Sequence, residues 1–341
     1  MSRTVVITGA SAGVGRACAE AFARDGWQVG LLARGTDGLE GAQAAVERLG
    51  GRALALSTDV ADPAAVEVAA SRVEAELGPI DAWVNAAMIT SYSPVAAMDA
   101  AEFRRITEVV YLGTVHGTMA ALARMQGRRG VIVQVGSALA YRALPLQSAY
   151  CGAKFAVRGF TEALRAELRH ARSGIRVAMV QLPAVNTPQF DWALNRMERR
   201  PMPAPPIYQP EVIAAVILRA ANGSARELWV GLSTTKVVLS NLLAPAVVEW
   251  LLARTGYQAQ QAPEPEPGGR PNNHDAPLPG DRGTRGRFGA EARLHPAVID
   301  PDRMQLWLAV GGSLAAAGAL RLALQRLWPG RGRVRLPRVG W

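Results

Sequence analysis

Cysteine is nearly absent from this chain: its 341 residues hold two, Cys18 and Cys151. Each falls in a segment of helical pattern, far from the other in sequence, so a disulfide framework is not expected and a reducing compartment is. Aromatic residues are sparse at 6%, and no face interleaves them with basic side chains, so nucleic acid is the weakest reading of the formal net charge of +10. No charged region and apolar stretch precede the first strand pattern at residues 3–8, so no secretory leader is expected, and the catalytic part is expected in the cytoplasm. The end of the chain lacks acid. From Arg321 onward there are six arginines and neither Asp nor Glu, which makes much of the basic excess a property of the tail. No internal repeat of roughly 20–50 residues is visible.

Apolar residues, in contrast, make up 49% of the chain, enough to bury a sizeable core. Short runs rich in Val, Ile and Leu recur at 3–8, 28–33, 52–57, 80–85, 130–136, 175–181 and 226–231. Most are continuously apolar, as strands covered on both faces are. Segments of helical length and period lie between them, among them 13–24, 63–77, 101–125 and 148–171. Right-handed crossovers then predict a doubly wound, Rossmann-type α/β fold over residues 1–235, a seven-stranded parallel sheet with helices on both faces.

The pattern changes after Gly231. Residues 236–256 read as an apolar helix broken near Pro245, either supporting a lid or associating with a membrane. Residues 257–303 are predicted to be a linker, because eight prolines and few large apolar groups cannot offset the entropy of ordering. Residues 304–328 are apolar again, with Trp307 and Trp328 at opposite ends, and 329–341 form the basic tail. A single span would put the arginines on the wrong side of a membrane, so both apolar segments are expected to lie in the interface with the arginines on anionic lipid headgroups. The rival is a helix docked on a partner subunit.

The first strand runs into Thr8-Gly9-Ala10-Ser11-Ala12-Gly13-Val14-Gly15. Gly9 permits a tight turn, while Gly13 and Gly15 let a phosphate approach the backbone. The helix that follows offers free N–H groups and a positive dipole end to a pyrophosphate. After the second strand stands Arg34, where a carboxylate would bind an adenosine ribose; a guanidinium suits a 2′-phosphate and favours NADP(H), with NAD(H) left open. Asp59 and Val60 follow the third strand and could border the adenine, or Asp59 could cap a helix before Pro63.

Ser137 ends the fifth strand, and Tyr150 follows thirteen residues later, with Lys154 spaced i, i+4 from it on one helical face. A nearby ammonium is expected to lower the phenol's pKa from about 10. Ser137 can hold a carbonyl oxygen while Tyr150 moves the proton and a nicotinamide moves the hydride. His116 and His170 read as ordinary helix residues, and Cys151 as a packing residue.

These residues resemble the short-chain dehydrogenase/reductase family over roughly residues 3–235. The resemblance rests on the glycine turn, the Ser137–Tyr150–Lys154 set and the run Leu182-Pro183-Ala184-Val185-Asn186-Thr187. It implies an NAD(P)-dependent oxidoreductase acting on a small-molecule alcohol or carbonyl. It also implies that Lys154 holds the nicotinamide ribose, that Asn85, Ala86 and Ala87 border the cofactor, and that Pro183, Val185 and Thr187 lie by the nicotinamide. A mobile substrate lid at about 188–208 and a homodimer or homotetramer are further implications. Three positions depart from the family pattern: Met88 and Ala184 each replace a glycine, and Val110 replaces an asparagine that holds a proton-relay water. A membrane location suggests a lipophilic substrate. The alternative class is a nucleotide-binding scaffold or sensor with weak or no catalysis.

Overall fold

The computed structural model describes residues 2–306. The chain divides into two compact units, 1–299 and 300–341. In the second unit residues 301–306 are helical, and the Asp300 carboxylate accepts from the N–H groups of Asp302 and Arg303. Most of the predicted apolar helix 304–328 and all of the predicted tail 329–341 lie outside the described residues.

Seven parallel strands build the first unit: β1 (Thr4–Thr8), β2 (Gln28–Ala33), β3 (Ala53–Ser57), β4 (Ile80–Asn85), β5 (Gly130–Val135), β6 (Ile175–Gln181) and β7 (Glu227–Val230). Their order across the sheet is β3-β2-β1-β4-β5-β6-β7. Alternate side chains serve opposite faces, as the two-residue strand period requires. Val5 and Ile7 enter the core under α1 (Gly13–Arg24), α2 (Thr36–Arg48) and α8 (Pro210–Asn222), which follows the short α7 (Gln189–Trp192). Val6 between them enters the core under α3 (Pro63–Leu77), α4 (Ala100–Thr107), α5 (Gly113–Met125) and α6 (Ser148–His170). Trp83, fully buried, belongs to the second core. The doubly wound fold is therefore as the apolar runs predict, with one addition. An eighth strand, β8 (Val298–Ile299), pairs antiparallel with β7.

Chain direction across the sheet reverses between β1 and β4, where Thr8 pairs with Asn85. Such a switch point opens a crevice at the carboxyl ends of the strands, and the site lies there. The helix predicted as continuous over 101–125 is interrupted by a π-helical turn at Glu108–Leu112, a feature often found beside functional sites.

The apolar segment after β7 forms two helices, α9 (Gly231–Leu243) and α10 (Pro245–Thr255), broken at Ala244 just before the proline. Leu242, Leu243, Val247 and Trp250 are exposed. Among the described residues no helix is long and apolar enough to cross a membrane.

Residues 257–303 do not run as a linker. Gln261–Pro265 pairs antiparallel with Arg199–Pro201, the Arg293 N–H donates to the Ile207 carbonyl, and Phe288 packs edge-on against Phe190 at 5.7 Å. Few side chains of this segment are buried: Gln260, Ala262, His274, Phe288 and Pro301. Its order comes also from backbone groups hydrogen-bonded to the domain and from ion pairs such as Arg285–Glu211 and Arg287–Asp191, sources that composition does not report.

Candidate active site

The glycine turn is held by contacts that only glycine tolerates. Gly9 has φ +72°, and a Cβ there would come within 2.7 Å of the Ala87 Cα. A Cβ at Gly15 would collide with the Gly9 carbonyl. α1 begins at Gly13 with no side-chain cap and no acid in its first turn. Its N-terminal N–H groups are therefore suited to an external anion. Thr8 is buried behind this turn; its hydroxyl accepts from the N–H groups of Ala86 (3.1 Å) and Ala87 (3.2 Å). Asn85 is buried as well, accepting from the Trp83 indole and donating to Thr118 and Gln134. These two of the predicted cofactor residues shape the wall from behind. Ser11, Ala12, Val14, Arg34, Asp59, Val60, Ala86, Ala87, Pro183, Val185 and Thr187 line the same cavity as Gly9, Gly13 and Gly15, a space of about 450 Å³.

Ser137, Tyr150 and Lys154 face this cavity too. The Ser137 N–H donates to the Gln181 side chain at 2.8 Å, which fixes the end of β5. Burial pushes the Tyr150 phenol well above its ordinary value; the Cys151 thiol adds to the rise, and the Ser137 hydroxyl opposes it as a hydrogen-bond partner. The predicted acidification by Lys154 does not emerge. Its ammonium stands 5.6 Å from the centre of the Tyr150 ring and donates to the Val135 carbonyl at 2.7 Å. Burial also lowers the lysine's own pKa to about 8. In this arrangement desolvation governs the phenol.

Asp59 lines the cavity and does not cap the helix before Pro63. Its carboxylate accepts from the Ala61 N–H and pairs with Arg105 at 2.5 Å, while Asp62 caps α3. Arg34 stands at the end of β2 as predicted, but its guanidinium donates to three backbone carbonyls of the C-terminal segment. Val110 is fully buried within the π-helical turn. His116 bonds the Val60 carbonyl at 2.9 Å through Nδ1. Cys151 is buried and its thiol is pushed up to about 11, as befits a packing residue.

Several lining residues escaped the sequence reading. Tyr92 is buried near Tyr150, and burial raises its phenol's pKa. Gln147 donates to Gln260 at 2.6 Å, and Gln260 comes from the segment read as a linker. No motif marks these positions. Phe190, Trp192 and Met202 also line the cavity, within the predicted lid 188–208. Val237 from α9 and Val248 and Leu252 from α10 complete an apolar end. That wall accords with the lid-support reading of residues 236–256.

Comparison with known proteins matches residues 3–198 to the short chain dehydrogenases. The chain is 29% identical over 266 residues to the uncharacterized oxidoreductase YxnA of Bacillus subtilis (strain 168), covering 77% of this chain and 75% of that protein. Among solved structures it is similar to an alcohol dehydrogenase from the archaeon Thermococcus sibiricus complexed with 5-hydroxy-NADP. The TM-score is 0.59 and the identity 26%, over 67% of this chain and 96% of that one. A short-chain type dehydrogenase/reductase from Mycobacterium marinum gives a TM-score of 0.56 at 29% identity, over 64% of this chain and 88% of that one.

Proposed function

The chain belongs to the short-chain dehydrogenase family and is an oxidoreductase of that type, and from this premise we propose that it interconverts a lipophilic carbonyl and its alcohol, with NADP(H) as the favoured cofactor. The observation that carries the reading is the meeting of Ser137, Tyr150 and Lys154 with an uncapped α1 N-terminus around one cavity. The donor set fits a nicotinamide dinucleotide: the α1 N-terminus, which has no side-chain cap, suits its pyrophosphate, and Lys154 and Thr187 border the same space. When bound, that cofactor supplies or accepts the hydride.

The chain's own residues handle the proton. Ser137 orients the substrate oxygen by a hydrogen bond. Tyr150 delivers a proton to that oxygen in reduction and removes it in oxidation. Burial keeps the phenol protonated, which is the form reduction needs. Lys154, fixed on the Val135 carbonyl, stands ready to hold a ribose hydroxyl. The preference for NADP(H) is supported by Arg34 at the end of β2 and by the cofactor analogue in the Thermococcus sibiricus structure. The lipophilic substrate is supported by the apolar end formed by Leu144, Phe190, Trp192, Val237, Val248 and Leu252.

The experiment is NADPH oxidation against a panel of lipophilic ketones and aldehydes. The wild type is expected to turn over at least one of them. Tyr150→Phe is expected to lose roughly 10²–10⁴-fold in kcat, with NADPH binding retained. Dinucleotide binding without turnover on any member would favour a nucleotide-binding scaffold instead.

A further inference from the structure

Residues 272–286 cross the adenosine end of the cavity as a strap. The Arg34 guanidinium donates to the carbonyls of Asn273 (2.5 Å), Asp275 (3.0 Å) and His274 (3.2 Å). Further along, the Gly280 N–H donates to the Asp37 carboxylate at 2.6 Å, and Asp281 pairs with Arg16 of α1. The Gly13 N–H, at the start of the phosphate-cradling helix, donates to the Gly283 carbonyl at 3.0 Å. Pro277 lies against Gly35, where a Cβ would come within 3.1 Å of its ring. The strap roofs the cavity without filling it, since Pro277, Leu278, Gly280 and Arg282 line the same space as Ser11 and Val14. Its other end reaches the predicted lid, where the Asn273 N–H donates to the Trp192 carbonyl at 3.0 Å.

We propose that this strap sets cofactor choice by competing with the 2′-phosphate of NADP(H) for Arg34. The inference rests on the dinucleotide-binding reading above. A guanidinium has a fixed fork of donors. Here both terminal nitrogens are engaged by main-chain carbonyls, so a phosphate on the ribose must displace them. NAD(H) carries no such group and leaves the Arg34 end of the strap in place. The apparent affinity for NADP(H) is then its affinity for the strap-open form, reduced by the fraction of time the strap is open. Because the strap also holds the Trp192 carbonyl, its displacement is felt at the substrate loop.

The competition is tested by loosening the strap at points away from Arg34. Asp281→Ala removes the pair with Arg16 and the acceptor for the Gly283 N–H. Asp37→Ala, on the exposed start of α2, removes the acceptor for the Gly280 N–H and covers the case in which Asp281→Ala does not fold. Strap release is read by hydrogen exchange over 272–286, and NADPH and NADH dissociation constants by quenching of intrinsic fluorescence. In the loosened variant the ratio Kd(NADPH)/Kd(NADH) is expected to fall about tenfold, one charge-assisted contact being of that order. Arg34→Ala should cost NADPH affinity more in the loosened background than in the wild type. A ratio within about twofold of wild type with the strap released, or an equal cost of Arg34→Ala in both backgrounds, overturns the competition. Failure of the wild type to bind either dinucleotide would instead defeat the cofactor reading, a result distinct from both.

Discussion

Lys154 is a charge held in the wrong medium, and the consequence is measurable without any substrate. The side chain is 4% exposed, its ammonium has the Val135 carbonyl as acceptor, and burial lowers its pKa from 10.5 to about 8. That fall is equivalent to about 3 kcal/mol of differential stabilisation, an order-of-magnitude ceiling. The folded chain holds this proton less tightly than the unfolded chain does. Between pH 8 and about 10.5 the unfolded state therefore binds more protons, and stability rises with pH across that window. Below pH 8 both states are protonated and the fold carries the full penalty. Lys154→Met removes the titration, so its stability should lack this rise. The assay is urea denaturation of both proteins at several values between pH 7 and 10, comparing the difference in unfolding free energy rather than either curve alone. Wild type should gain up to about 3 kcal/mol relative to the variant over the window. Parallel curves would show that the ammonium is not desolvated.

Two further outcomes follow from contacts already described. In Gly15→Ala the new methyl meets the Gly9 backbone, with the carbonyl carbon 2.7 Å away, and no flexible side chain can give way. A loss of roughly 1–3 kcal/mol in stability, together with weaker dinucleotide binding, is expected by denaturation and fluorescence titration; an unchanged protein would mean that the turn can open. Cys18 and Cys151 are both buried, and burial raises both thiol pKa values. Neither should react with Ellman's reagent at pH 8 in the folded protein, and both should react in guanidinium; rapid labelling of the native chain would refute the packing role.

The parts of this molecule legible in its sequence are those whose cause is local. Val5, Val6 and Ile7 announce a doubly covered strand because each neighbour must be apolar when both faces are buried. Tyr150 and Lys154 share a face because four residues make about one helical turn. Ser137 reaches them because a parallel strand delivers its last residue to the crevice. The same logic failed for the acidity of Tyr150. Adjacency to an ammonium was readable, whereas the depth of burial that governs the phenol depends on the whole fold.

The strap was illegible for a different reason, and that reason bears on how the cofactor site works. Composition measures what side chains can bury, and by that measure 257–303 has little to offer. Much of what holds 272–286 is a set of main-chain groups matched to Arg34, Asp37 and Gly13, positions more than two hundred residues earlier, and Asp281 and Arg285 add ion pairs to Arg16 and Glu211. Arg34 and Gly13 are also the groups a dinucleotide would use. A segment fixed by apolar packing would be indifferent to the cofactor. One fixed in part by the cofactor's own recognition groups cannot be, because the bonds at Arg34 and Gly13 are ones the ligand can claim. The weakness of the strap as a sequence signal and its sensitivity to a 2′-phosphate therefore have a single origin.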